Sequence, residues 1–127
     1  TATFELDPGE TVTCTFTNTK RGTITVIKDT DPDGPQNFDF TFKMGIFSVD
    51  FILDDDNDPE RSNTVTFTNL LPDTYTVTEK TVAGFVLTNI TCTGDTNSVI
   101  TTSTANANAI IVLAQGEDII CTFTNVD

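Results

Sequence analysis

The chain has 127 residues, a mass of 13.8 kDa, 6 basic and 19 acidic residues, and a net charge of −13. This length fits one ordinary domain with a fragment of a second, and so negative a surface repels phosphate, which argues against nucleic acid or an anionic membrane as partner. With no His and three Cys, neither a His-based triad nor the usual four-ligand His/Cys zinc site can be assembled, and the longest apolar run, Ala109 to Ala114, is too short for a membrane helix.

Thr occurs 27 times and Phe 10 times, mostly in alternation with other residue types, which is the composition of β-sheet. The chain opens with Asp7 to Asn18, DPGETVTCTFTN, which reads as a hairpin. Lys20-Arg21-Gly22 is a short junction. Strands are expected at Thr23–Asp29, where Ile24, Val26 and Lys28 share a face, and around Phe38, Phe40 and Phe42. Ile46–Leu53 is a longer apolar strand, followed by an acidic loop, 54–63. Thr64–Thr68 places Val65 and Phe67 inward; Leu70-Leu71-Pro72-Asp73 is a turn. Thr74–Lys80 and Phe85–Thr93 follow as strands. Gly94–Ala107 reads as a polar loop with at most a short strand, and Asn108–Leu113 with Asp118–Asn125 as a final hairpin around Gly116. No helical period survives for two turns. Seven or eight such strands predict an all-β, Greek-key, Ig-like β-sandwich.

The opening segment is a duplicate. AQGEDIICTFTN at 114–125 repeats 7–18 at an offset of 107: Gly9 falls on Gly116, Cys14 on Cys121, Phe16 on Phe123 and Asn18 on Asn125. Residues 1–20 are therefore expected to be the C-terminal hairpin of a preceding repeat, or a segment that docks between molecules, and residues 21–127 one complete repeat. A two-stranded hairpin is marginal in water, so it must pack on a neighbouring unit.

Leu71 to Glu79, LPDTYTVTE, resembles the LPPGTYTVTE segment of prealbumin-like (Cna B-type, SpaA-like) bacterial surface repeats, the E-box of pilins. Lys28 resembles the family's Thr-x-x-Lys start, and Asn125 its terminal Thr-Asn. The likeness spans about residues 22–125. The family's Pro after the E-box is missing here, where Thr81-Val82-Ala83-Gly84-Phe85 stands, and Cys occupies strand positions. The resemblance implies a prealbumin-like sandwich that works as a stalk or spacer in an extracellular adhesin, pilus or other surface fibre, not as an enzyme. Its partners would be neighbouring copies of itself.

Three constellations carry candidate chemistry. The first is a self-formed isopeptide bond between Lys28 and Asn125, assisted by Glu79. An apolar core disfavours the charged amine, and a nearby carboxyl can relay protons while ammonia leaves. Strand parity puts Lys28 with Ile24 and Val26, Asn125 with Cys121 and Phe123, and Glu79 with Tyr75 and Val77. The alternatives are a plain Lys28–Glu79 ion pair or an outward Lys28.

The second is a disulfide between Cys92 and Cys121, both in late strands of an exported chain, or else two buried thiols. Cys14 is then an orphan or an intermolecular bridge. The third is calcium. Asp29, Asp31 and Asp33 fit D-x-D-x-D-G, the opening of an EF-hand-like loop, although Phe40 stands where the bidentate Glu belongs. Asp54, Asp56 and Asp58 lie in a second acidic run, and hard divalent ions prefer such oxygens; a solvated acidic loop is the alternative. No cofactor is required. The competing functional reading is an extracellular carbohydrate- or surface-binding β-sandwich that uses the Thr rows and the 94–107 loop.

Overall fold

The period-two alternation becomes strands throughout the computed structural model, which describes residues 18–55 and 62–127. The strands are β1 (Gly22–Asp31), β2 (Gly34–Met44), β3 (Phe47–Asp55), β4 (Thr64–Leu70), β5 (Thr74–Glu79), β6 (Val86–Thr93), β7 (Val99–Ser103), β8 (Asn108–Val112) and β9 (Asp118–Val126). No helix occurs among the described residues. The ninth strand is β7, formed within the stretch that reads as a polar loop. It pairs only with β8, at a sheet edge, where Thr and Ser are tolerated on the solvent side.

Two sheets face each other. One has the order β4-β1-β9-β6, the other β3-β2-β5-β8-β7. Every pairing is antiparallel except β1 with β9, which run parallel in register from Thr23 opposite Asp118 to Asp31 opposite Val126. The core between the sheets is rich in Phe. Phe40 stacks on Phe51 at 5.2 Å and meets Phe123 edge-on at 5.3 Å, and Phe42 stacks on Phe67 at 4.0 Å. Ile24, Val26, Val77, Ile111 and Ile119 fill the rest. Such burial is the main source of stability in a sandwich with no helix.

The expected final hairpin is not one. β8 pairs with β5 and β7, whereas β9 pairs with β1 and β6 in the opposite sheet. Both strands bury one apolar face, Ala109 and Ile111 on β8, and Ile119, Cys121 and Phe123 on β9. Placed in facing sheets, both faces reach the same core. Paired side by side, one sheet alone would have to cover them. The connection between them is pinned: Thr23 N donates to Glu117 O at 3.0 Å, and Gly116 N donates to Lys20 O at 2.9 Å. Gly22 lies so close to Glu117 O that a side chain at this position would collide with it. The matching segment 1–17, and with it the expected opening hairpin and Cys14, lies outside the described residues.

Candidate functional site

Alternation along β1 buries Ile24, Val26, Lys28 and Thr30 in succession, so an amine is carried into the core by the same rule that carries the isoleucine. Alternation along β5 does the same for Tyr75, Val77 and Glu79, and along β9 for Ile119, Cys121, Phe123 and Asn125. The three polar side chains are 0%, 4% and 2% exposed for Lys28, Glu79 and Asn125.

They meet at one carboxylate. Lys28 Nζ donates to Glu79 Oε2 at 2.9 Å, and Asn125 Nδ2 donates to Glu79 Oε1 at 2.8 Å. Glu79 belongs to the facing sheet, so it bridges the sheets and holds the amine and the amide side by side. Lys28 Nζ also donates to Phe123 O at 3.2 Å and sits 4.2 Å from the centre of the Phe38 ring. Burial pushes the Lys28 amine below its ordinary value of 10.5, against the opposing pull of Glu79. Asn125 Oδ1 is buried without a hydrogen-bond partner. A buried carbonyl in that condition is costly to keep and ready to accept a proton donor.

Beside Glu79 and Asn125 lies a cavity of about 260 Å³, also lined by Val82, Phe85, Leu87 and Ala105. A second hollow, of about 360 Å³, lies at the opposite end of the sandwich, among Arg21, Met44, Phe47, Leu71 and Tyr75. Tyr75 OH closes the adjoining turn by donating to Leu71 O at 2.6 Å.

Cys92 and Cys121 form a disulfide. They are directly opposed in the β6–β9 ladder with Cα atoms 4.1 Å apart, the close spacing of a pair that does not exchange backbone hydrogen bonds. β9 is therefore engaged on both flanks: by a covalent bond to β6, and by the Lys28–Glu79–Asn125 contacts toward β1.

The acidic residues assemble differently from the expectation. Asp29, Asp33 and Asp55 bring carboxylate oxygens within 4.8 Å of one another. Asp31 and Asp54 are not part of this group. Asp29 and Asp31 both lie in β1, where alternate residues are about 6.6 Å apart, so the strand holds their carboxylates apart, while Asp33, beyond its end, comes within reach of Asp29. Asp54 is turned into the protein and its backbone N donates to Ser62 O at 3.3 Å. Its neighbour Asp55 joins the group, held by Thr30 N at 2.9 Å. Asp56 and Asp58 lie outside the described residues. A hydrogen bond with Asp55, together with the Asp55 charge, raises Asp33 above its ordinary value.

Sequence reasoning overlooked Phe38 and the Phe123 carbonyl, which complete the surroundings of Lys28. It also overlooked Glu117. This carboxylate accepts from Thr96 N, Asn97 N, Ser98 N and Ser98 Oγ at 3.2, 2.7, 3.0 and 2.6 Å, which ties down the loop before β7. The Ser98 hydroxyl in particular holds Glu117 below the usual carboxylate range. A string of consecutive amides around a distant acid leaves no signal in one sequence.

A prealbumin-like fold domain of the SpaA type (SpaA_4) matches residues 24–127, and the chain belongs to this family. Among solved structures, it is similar to a bacterial adhesin from Mobiluncus mulieris containing intramolecular disulfide, isopeptide and ester bond cross-links. The TM-score is 0.57 at 18% identity, over 83% of this chain and 41% of that one. This chain thus spans less than half the length of that adhesin. A search of curated proteins found no match.

Proposed function

We propose that this domain is a load-bearing module of a bacterial surface fibre, adhesin stalk or pilus-like filament, locked by an isopeptide bond from Lys28 to Asn125. The single observation that carries this reading is the one buried carboxylate, Glu79, that holds the Lys28 amine and the Asn125 amide together. A plain ion pair would not need a buried amide on the other oxygen. The family match and the cross-linked adhesin of similar fold support it.

The chemistry is an aminolysis. Deprotonated Lys28 Nζ adds to Asn125 Cγ, and the Cγ–Nδ2 bond breaks. Glu79 relays a proton from the attacking nitrogen to the departing one, and one ammonia is released. Carrying that proton, Glu79 also has a donor for Asn125 Oδ1, the carbonyl that is otherwise unpartnered. The reaction happens once per molecule.

The mechanical benefit follows from topology. β1 and β9 are parallel neighbours, so tension applied at Gly22 and at Asp127 pulls them past each other and loads the whole ladder in shear. A bond from Lys28 to Asn125 routes the force past everything between them. In single-molecule stretching between the two ends, the intact module would give no unfolding step. Asn125→Ala, with the Cys92–Cys121 disulfide still closed, would release about 230 Å of chain. The same step in the unmodified protein would refute the locked module.

We also propose that Asp29, Asp33 and Asp55 accept a calcium ion, because three carboxylates this close repel until a cation or a proton intervenes. A calcium-dependent rise in Tm that Asp55→Asn abolishes supports this; equal Tm with calcium and with chelator refutes it. Neighbouring copies in series are the expected partners, and the hollow beside Arg21, lined by exposed Phe47, Val49 and Leu71, is the face that a preceding unit would meet. A carbohydrate-binding use of the 94–107 loop is not favoured, since β7 occupies its middle and Glu117 already takes the amides of Thr96, Asn97 and Ser98.

A further inference from the structure

The reacting groups are buried. Lys28 is fully buried, Glu79 and Asn125 nearly so, yet the proposed reaction must discharge a molecule of ammonia from between two packed sheets. A leaving group that stays beside the new amide keeps the reverse reaction open. Something in the fold has to let it go.

The cavity of about 260 Å³ is placed for this. Glu79 and Asn125 are in its wall, and Lys28 is not. In the sheet order β4-β1-β9-β6, the amine arrives from β1 on one side of β9, while Leu87 of the cavity wall belongs to β6 on the other. Entering and departing nitrogens therefore need not pass each other. The volume is several times the roughly 30 Å³ that a water-sized molecule occupies in liquid. The wall is mixed: Phe85, Val82 and Leu87 supply apolar surface, and Thr81 and Thr104 supply hydroxyls.

Its outer rim is made of two turns. One is residues 81–85, closed by Phe85 N donating to Val82 O at 3.2 Å. The other is residues 104–107, closed by Ala107 N donating to Thr104 O at 3.2 Å. Glu79 N donates to Ala107 O at 2.8 Å, so the second turn is fastened to the residue that relays the proton. Thr81, Thr104 and Ala105 are exposed, which opens the cavity at the turns.

Resting on the isopeptide reading above, we propose that this cavity is the exit through which the displaced ammonia leaves Asn125, and through which Glu79 exchanges protons with solvent. The balance is closed: the Nζ–Cγ bond forms, the Cγ–Nδ2 bond breaks, one proton passes from Nζ to Nδ2 through Glu79, and ammonia crosses the cavity into water, where it is protonated.

The test is a time course of intact mass on the full chain made by cell-free synthesis, with protease resistance of the same aliquots reporting folding. Ala105→Trp and Thr81→Trp each narrow the cavity from a different turn; Ala83→Trp, exposed on the first turn but outside the cavity wall, is the control. The expected result is that either narrowing variant folds as fast as the unmodified chain but loses ammonia several-fold more slowly, reaching the same final mass, while the control matches the unmodified chain. Unchanged rates in a folded narrowing variant overturn the exit. An unmodified chain that never loses ammonia overturns the isopeptide reading itself and the exit with it, and the series separates the two failures because both are read in the same experiment.

Discussion

Cys121 and Asn125 lie four residues apart on the same buried face of β9, and each is committed to a different neighbour. Cys121 is bonded to Cys92 on β6, while Asn125 shares the Glu79 carboxylate with Lys28 of β1. A strand at the centre of its sheet is thereby gripped from both sides. This is the arrangement that the load-bearing function proposed above calls for.

Substitutions at Glu79 separate the two roles proposed for it, positioning and proton relay. Glu79→Ala leaves the Lys28 ammonium buried with no carboxylate, which costs about 3–5 kcal/mol, and it removes the relay. Glu79→Gln keeps hydrogen bonding but carries no proton, so the protein folds and bond formation slows by about 10²–10⁴-fold. Urea midpoints together with the fraction lacking ammonia distinguish the two variants.

The lowered Lys28 value gives a pH signature in a protein that cannot cross-link. In Asn125→Ala, the unfolded chain holds the Lys28 proton up to about its ordinary 10.5, while the folded chain releases it earlier. Between those values the unfolded state binds more protons, so stability rises with pH. The usable window ends near pH 10.0, because burial raises Tyr75 above that ordinary value and an opposite slope then begins. Urea midpoints measured upward from neutral pH should increase in Asn125→Ala. The bonded protein, whose amide nitrogen does not titrate, should lack this slope.

The disulfide closes a separation of 29 residues. On the chain-entropy estimate its reduction costs about 3–4 kcal/mol. Denaturant midpoints of Asn125→Ala with and without reductant measure this with the other cross-link absent.

Glu117 contributes in the acid range. Its value is lowered in the folded state, so its stabilisation is present above the ordinary 4.5 and is lost as pH falls through the folded value. Glu117→Gln should speed hydrogen exchange at Thr96, Asn97 and Ser98 at neutral pH, and remove that part of the acid sensitivity.

The strands and the inward parity of Lys28, Glu79 and Asn125 were legible in the sequence because side chains alternate with a period of two. Parity alone does not say which faces oppose each other. The segment 108–125 therefore read as a hairpin, although β8 and β9 sit in facing sheets; local alternation is the same in either case, and only the shared core decides. The acidic group shows the opposite limit. Composition located the two acidic stretches, but the choice of Asp55 over Asp54 and the exclusion of Asp31 depend on strand geometry and on the Thr30 amide. Glu117 was invisible because its partners lie some twenty residues away and are backbone groups.

The most direct test of the lock is the intact mass of the reduced, denatured chain, followed by fragmentation across Lys28 and Asn125. The expected mass is that of the sequence less one ammonia, with the peptides containing Lys28 and Asn125 joined. A reduced mass equal to that of the plain sequence, with those two peptides separate, would contradict it.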